Sequence, residues 1–468
     1  VPPRTSNILL LGNDDEDMGN GVSRTDAIII AAINRDTNTA TLLSLPRDLY
    51  VYMPGWTMNR INTAVTVGGV GMLKEAILYN FGIPIHYHAR IDFDSFVQIV
   101  DAVGGVDIAV SCALEDWRLK APGLDIQEEE NYERFRLEPG IHHMDGDLAL
   151  WYARSRRSTD DFDRGRRQQQ LLRAMFEQGV DAGLVLKVPE LWGIYRESVE
   201  TDIDIGRLLQ FAAAAPAIRQ NGIQNLYLPE ARLQSLVIQT AEGPIQVQVP
   251  LEETISDVSR RLYRPPALNR ATRTLTVGII NSSGNPEMAR LAAENLAWHG
   301  FVPVISEEAA PLVDLTTLTF HADNLRGSWD WLITWIFDLR RPGHRGNGAY
   351  QGDGQYGIDL DPTADVSWNY TVVLGKDYDP CRPEVYAPLP FLGEELGGGD
   401  WGLGIQALRA LSAGCTGVEA SAGSAAIFRL QARAMQGKIG RNRSEQSQIG
   451  NCRLPPRYSM HHRLEIGG

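Results

Sequence analysis

Residues 154–170 read Arg154-Ser-Arg156-Arg157-Ser-Thr-Asp160-Asp161-Phe-Asp163-Arg164-Gly-Arg166-Arg167-Gln168-Gln-Gln170, six arginines around three aspartates. Guanidinium forks grip phosphate oxygens through paired, charge-assisted hydrogen bonds, so the run suits a phosphorylated ligand. If Leu171, Leu172 and Met175 mark the buried side of a following helix, Arg164, Arg167 and Gln168 gather at its first turns. Backbone amides and the positive end of the helix dipole would add to the attraction for an anion. A salt-bridged surface helix is the other reading of the same charges.

Three apolar strands must position this chemistry. Asn7-Ile-Leu-Leu-Leu-Gly12 runs into the acidic loop Asn13-Asp14-Asp15-Glu16-Asp17. A second strand, 27–33, is entered through Ser23-Arg24-Thr25-Asp26, and a third, 40–45, leaves through Pro46-Arg47-Asp48. The turn formers Asn34-Arg35-Asp36-Thr37-Asn38 predict a hairpin between the last two. Arg24 and Asp26 then lie beside Arg47 and Asp48, and a first strand parallel to the third brings Asp14 to the same sheet end.

Further motifs follow in order: Arg60-Ile61-Asn62 before Gly68-Gly69, Val100-Asp101-Ala-Val-Gly104-Gly105-Val106, Gly146-Asp-Leu-Ala149-Leu150, Arg154-Ser-Arg156, and Asp161-Phe-Asp-Arg164-Gly-Arg-Arg167-Gln168. With Leu9-Leu-Leu-Gly12-Asn-Asp14, Arg24-Thr-Asp26 and Ser44-Leu-Pro46-Arg47-Asp48, this series resembles the LytR-CpsA-Psr family of cell-wall glycopolymer ligases, from about residue 5 to about residue 260. Arg60 stands where the family usually has Lys, and Asp163, commonly Gly there, adds a carboxylate to the arginine set. The resemblance implies a three-layer α/β/α sandwich around a mixed sheet over 5–262. A linker at 263–272 and a small LytR-type α/β C-terminal domain at 273–379 would follow.

It also implies an activity: a transferase moving a glycopolymer from polyprenyl pyrophosphate to a peptidoglycan hydroxyl, with release of polyprenyl phosphate. For the pyrophosphate head the candidates are Arg24, Arg47, Arg60, Asn62, Arg154, Arg156, Arg164, Arg167 and Gln168. Arg47, Asp161 and Asp48 are the catalytic candidates, Asp161 chiefly as a group that orients Arg164. Mg²⁺ or Mn²⁺ prefers carboxylates plus phosphate oxygens, which points to Asp14 and Asp26. For the lipid tail, Val70, Leu73, Ile77, Phe81, Phe93, Phe96, Val97 and Val100 are expected to form a slot between helices and sheet. His86 and His88 read as structural. The same pocket without turnover would make a binding protein for polyprenyl pyrophosphate or wall polymer; water in place of the acceptor would make a pyrophosphatase.

The chain of 468 residues is long enough for more than one core and carries a net charge of −14. That balance argues against nucleic acid as a main partner while leaving room for a local basic pocket. No stretch has the apolar length to span a bilayer. The resemblance implies a short cytoplasmic tail and one membrane helix ahead of an extracytoplasmic catalytic domain, so Val1 is read as an internal start. Three of the four cysteines (Cys112, Cys381, Cys415, Cys452) lie beyond residue 380, which allows a disulfide among them in an oxidising compartment.

Towards the C-terminus, Leu275-Thr-Val-Gly-Ile-Ile280, a helix over 286–299 and Phe301-Val-Pro-Val-Ile305 form a βαβ-like unit. Helical spacing recurs at 191–199, at 208–218, where Pro216 should end or kink the helix, and at 329–337. Beyond residue 380 no lasting period appears, and that tail is expected to be mostly disordered.

Overall fold

The computed structural model describes residues 1–14, 24–121, 123–125, 127–156, 161–187, 192–193, 196, 198–228, 233–240, 243–263, 275–307, 310–321, 330–339, 358–361 and 366–382. The side chains of Asp14, Arg24, Asp26, Asp161, Val185, Lys187, Glu252, Asp330, Trp331 and residues 358–360 lie outside this description, as do most of the expected linker, residues 191, 194, 195 and 197 of the helix expected at 191–199, and the tail from 383 on. Two compact units divide the chain, Val1–Leu411 and Ser412–Gly468, and all described residues fall in the first.

In chain order come β1 (Thr5–Asp14), β2 (Arg24–Asn34), β3 (Thr39–Ser44), β4 (Tyr50–Tyr52), β5 (Met58–Arg60), α1 (Thr63–Phe81), β6 (Tyr87–Ile91), α2 (Phe93–Ala102) and β7 (Val106–Val110). Then follow β8 (Leu114–Leu119), β9 (Tyr132–Leu137), β10 (Gly140–Met144), α3 (Gly146–Arg154), α4 (Asp161–Asp181), β11 (Glu200–Thr201), α5 (Ile205–Asn221), β12 (Ile223–Tyr227), β13 (Leu233–Thr240), β14 (Gly243–Pro250) and α6 (Glu252–Arg261). The main sheet has the order β11-β6-β1-β2-β3-β12. It is mixed: β2 runs antiparallel to both β1 and β3, whereas β6 is parallel to β1 and β12 to β3.

Strand alternation divides the apolar side chains between two layers. Leu9, Leu11, Ile28, Ile30 and Leu43 join Leu73, Ile77 and Phe81 of α1 and Val258 of α6 in one core. Ile8, Ile29, Ala31 and Leu42 join Phe211 and Ile218 of α5, with Leu172 and Phe176 of α4 packed against them. The result is the α/β/α sandwich with helices on both faces. Of the stop or kink expected at Pro216, the stop does not occur, because α5 continues through it. Phe211, Ala215 and Ile218 are anchored in the core, and Pro216 is exposed, where water can serve the carbonyl that lost its partner.

The C-terminal elements are β15 (Thr276–Asn281), α7 (Met288–Trp298), β16 (Val302–Ile305), β17 (Thr317–Phe320), α8 (Asp330–Ile336), β18 (Ile358–Leu360) and β19 (Tyr370–Leu374). They form a second sheet, β16-β15-β19-β17-β18, in which the parallel pair β15–β16 is bridged by α7. Leu332, Ile333 and Ile336 place α8 in the core of this second layer.

α7 packs on the first sheet's α4 side. Arg173, 2% exposed at its side chain, is ion-paired to Glu294, and Asn225 Nδ2 donates to the Trp298 carbonyl at 3.2 Å. A disulfide joins Cys112 to Cys381 across 269 residues, which takes Cys381 out of the bond allowed among the three C-terminal cysteines; Cys415 and Cys452 lie outside the described residues. Cys112 leaves β7 where the chain arrives after β19, a proximity that sequence spacing does not show. Cys112→Ser should lower unfolding free energy by roughly 2–4 kcal/mol, read as a lower denaturation midpoint. An unchanged midpoint with and without reductant would contradict the tether.

Candidate active site

Two hydrogen-bonded contacts set α3 against its neighbours. Gly146 N donates to Asp101 Oδ1 at 2.7 Å, and a Cβ on Gly146 would come within 2.5 Å of the Val97 carbonyl oxygen. Glycine therefore lets α3 meet α2 at backbone distance. Asp145 caps α3 by accepting from Leu148 N at 2.8 Å. The far end of α3 is fixed by Arg167, whose side chain is 1% exposed. Its guanidinium donates to the Tyr152 and Ser155 carbonyls and, through Nε, to Asp163 Oδ2 at 3.0 Å.

Between the sheet, α2, α3 and α4 lies a cavity of about 500 Å³. Its walls are apolar, with Leu10 and Ile29 from the sheet, Phe93 and Phe96 from α2, and Leu171 and Leu172 from α4 among them; Arg47, Arg154, Arg156, Arg164 and Gln168 also line it. The Arg154 guanidinium sits over the Phe93 ring, 4.2 Å from its centroid, so the charged and apolar parts of the lining touch. A smaller hollow of about 40 Å³ shares Arg47, Arg164 and Gln168 and adds Ser44, Asp48, Tyr227 and Gln248.

Five of the expected head-group residues thus converge: Arg47, Arg154, Arg156, Arg164 and Gln168. Arg60 and Asn62 stand behind them. Asp48 accepts from Arg60 Nη1 at 2.9 Å and lies 3.5 Å from Arg47 Nε, while Asn62 N donates to the Arg47 carbonyl at 3.2 Å. Arg167 is a correction: buried and spent on two carbonyls and Asp163, it braces the site instead of facing a ligand. Asp163 accounts for this, holding Arg166 Nε at 2.8 Å as well.

The expected tail slot is also corrected in part. Phe93 and Phe96 line the cavity, but Leu73, Ile77 and Phe81 belong to the closed core on the opposite sheet face, with Val70 packed against it. Val97 faces Gly146 and Val100 is fully buried in the α2–α3–β7 core. Apolar helix faces look alike in sequence whether they meet a sheet or a hollow. The walls that were missed, Leu10, Ile29, Leu171 and Leu172, carried a signal in the alternation of β1 and β2 and the spacing of α4.

The side chains of Arg24, Asp14, Asp26 and Asp161 lie outside the described residues, but their backbones are placed. Asp14 is opposite Arg24, and the register shift between Gly12 and Asn13 leaves Asp26 as the bulged residue between Thr25 and Ala27. Two carboxylate-bearing positions therefore share the sheet end from which Ala27 and Arg47 enter the cavity lining. Oxygen donors of that kind suit a hard divalent cation. Among the described residues, no three His, Cys, Asp or Glu side chains form a metal set. His86 and His88 make structural contacts: Asn7 N donates to His86 Nδ1 at 2.9 Å, and His88 N donates to Asp202 Oδ1 at 2.7 Å.

Burial pushes the Asp163 carboxyl up, and the Arg166 and Arg167 guanidiniums more than reverse this, holding it below the usual carboxylate range. Its folded value lies below its unfolded one, so its stabilisation is present above a pH of about 4 and lost as pH falls through the folded value. Arg167→Ala should cost about 3–5 kcal/mol by stranding a buried charge, whereas the exposed Arg156→Ala should stay within about 0.5 kcal/mol. Asp163→Asn should be less stable than wild type at neutral pH, with the gap closing below a pH of about 4. Denaturant titrations at several pH values read all three; equal midpoints for the Arg167 and Arg156 variants would contradict the assignment.

Comparison with known proteins identifies the family. The model of the LytR_cpsA_psr family matches residues 3–262. A polyisoprenyl-teichoic acid–peptidoglycan teichoic acid transferase, TagU, of Oceanobacillus iheyensis is 30% identical over 223 residues, 46% of this chain and 64% of that protein. The probable cell wall biosynthesis protein LcpB of Corynebacterium glutamicum is 35% identical over 195 residues, 39% of this chain and 44% of that one. The chain thus spans less than two-thirds of the length of these relatives. The crystal structure of TagV from B. subtilis aligns with a TM-score of 0.47 and 25% identity, over 56% of this chain and 97% of that one. With more than half of its length matched by the family model, this chain belongs to the LytR_cpsA_psr family.

Proposed function

We propose that this protein transfers a glycopolymer from a polyprenyl pyrophosphate carrier to a hydroxyl of peptidoglycan. One observation carries the reading: a single cavity joins an apolar interior to Arg47, Arg154, Arg156 and Arg164. A polyprenyl pyrophosphate has the same two halves, a hydrocarbon tail and an anionic head. Each methylene buried among Leu10, Ile29, Phe96, Leu171 and Leu172 contributes roughly 0.8 kcal/mol, and the arginines neutralise the head through charge-assisted hydrogen bonds. The name of the Oceanobacillus iheyensis relative, a polyisoprenyl-teichoic acid–peptidoglycan teichoic acid transferase, describes a transfer of this class.

In the proposed reaction the acceptor hydroxyl oxygen bonds to the phosphorus that carries the glycan. The bridging P–O bond breaks, polyprenyl phosphate leaves, and the hydroxyl proton passes to the departing phosphate. Such a transfer depends on positioning and charge neutralisation more than on covalent help. Arg47, held by Asp48 and by the Asn62 contact to its carbonyl, and Arg164 border both hollows. We assign them to the bridging and non-bridging oxygens of the pyrophosphate. Asp161, at the start of α4, is assigned to orient Arg164. Asp14 and Asp26 would hold Mg²⁺ or Mn²⁺, which when bound would neutralise further phosphate charge.

The donor is a membrane lipid and the acceptor is the wall, so we place the catalytic unit outside the cytoplasmic membrane. The Cys112–Cys381 disulfide fits an oxidising compartment. No described helix is long and apolar enough to cross a membrane.

Release of polyprenyl phosphate from a lipid-pyrophosphate-linked glycan, measured with Mg²⁺ and a peptidoglycan oligomer, tests the reading. Release should require the acceptor, and Arg47→Ala should slow it by about 100-fold or more. Release that is indifferent to acceptor would indicate a pyrophosphatase; tight lipid binding with no release would indicate a carrier protein. Either result would overturn the transferase.

A further inference from the structure

The smaller hollow, about 40 Å³, contains a polar side chain to which no role has yet been given. Ser44, the last residue of β3, lines it beside Arg47, Arg164 and Gln168. Strand alternation puts Ser44 on the same sheet face as Ala40 and Leu42, which pack in the core beneath α4 and α5. α4 passes Ser44 at Gly165, where a Cβ would lie 3.8 Å from Ser44 Oγ. The end of β3 and the start of α4 thus bring Ser44 and Arg164 into one hollow.

The direction of the hydroxyl is set by Gln169, which is fully buried. Gln169 Nε2 donates to the Leu226 carbonyl at 2.8 Å and to Ser44 Oγ at 2.7 Å. A carbonyl only accepts, so the amide nitrogen, with both its hydrogens, is the end that faces Leu226 and Ser44. Ser44 Oγ therefore accepts in that bond, and its own hydrogen points elsewhere. Among the described residues Ser44 Oγ has no other hydrogen-bond partner, and the side chain is only partly buried.

The hollow therefore offers one neutral donor beside two guanidiniums. A cationic ligand would be repelled by Arg47 and Arg164. There is room for about three water-sized groups, which admits phosphate oxygens and excludes a sugar ring. Asp48, in the same lining, already accepts from Arg60 Nη1 at 2.9 Å and lies 3.5 Å from Arg47 Nε, which weakens its repulsion of an anion. We propose that Ser44 is a substrate-contacting residue: its hydroxyl, oriented by Gln169, donates to a pyrophosphate oxygen held beside Arg47 and Arg164. The hydroxyl keeps its proton throughout, so no bond to Ser44 forms or breaks. The inference deepens the phosphotransfer reading and rests on it.

Calorimetric titration of the full chain tests the contact with three probes: farnesyl pyrophosphate, inorganic pyrophosphate and farnesol. Ser44→Ala should weaken binding of both pyrophosphates about tenfold. Ser44→Thr, which keeps the hydroxyl, should bind them within about threefold of wild type. Farnesol, the tail without its phosphates, should bind wild type and both variants alike. Ser44→Ala that binds farnesyl pyrophosphate as wild type does, or that loses farnesol affinity in the same proportion, would overturn the contact and leave the phosphotransfer reading standing. Gln169 acts through Ser44, so in a Gln169→Leu background Ser44→Ala should cost less than about threefold in pyrophosphate affinity. A cost of about tenfold in that background would overturn the orienting role of Gln169. Absence of farnesyl pyrophosphate binding to wild type would overturn the phosphotransfer reading and the contact with it.

Discussion

The buried guanidinium of Arg167 is the fixed point of the site. Through the Tyr152 and Ser155 carbonyls it holds the end of α3, and through Asp163 it is locked to the first turn of its own helix, α4. Arg154 and Arg156 emerge from the held end of α3, and Arg164 and Gln168 from the held start of α4. Without that brace, four of the cavity's polar lining groups would lose their common frame. A charge buried in this way is costly to desolvate, and the two carbonyls and one carboxylate around it are what offset that cost. Arg166, paired to the same carboxylate, makes the arrangement a three-charge unit.

Division of labour among the arginines follows from this. An acidic protein, net charge −14, can concentrate positive charge locally only if each guanidinium is placed against its neighbours' repulsion. Asp48 bridges Arg47 and Arg60, Asp163 bridges Arg166 and Arg167, and the Phe93 ring sits under Arg154. These partners leave the cavity lined by arginines whose backbones are fixed before any anion arrives, which reduces the ordering cost of binding. The second sheet extends the same frame, since the Cys112–Cys381 bond lies at the base of the β8–β9 hairpin and Arg173–Glu294 joins α4 to α7.

Much of this was legible in the sequence, and the exceptions have physical causes. The strands at 27–33 and 40–45 do pair as a hairpin, and β1 does run parallel to β3, because alternation and turn chemistry are local properties. The arginine run marked the site for the same reason. Arg167 was read as a ligand because sequence shows charge but not burial; only packing shows that its donors are used. Leu73, Ile77 and Phe81 were read as tail contacts because periodicity identifies an apolar face without telling which face is closed by a sheet. The β8–β9 hairpin went unread, since Trp117 and Tyr132 sit among charges that blur strand alternation. The disulfide joins residues 269 apart and has no local signal at all.

The most direct measurement is a crystal structure of the protein with a short-chain polyprenyl pyrophosphate. The isoprenoid chain should lie in the cavity between Phe96 and Leu171, and the pyrophosphate should contact Arg47, Arg154 and Arg164, with Arg167 still on its carbonyls. A lipid bound on the α1 face, or a pyrophosphate away from these arginines, would contradict the account.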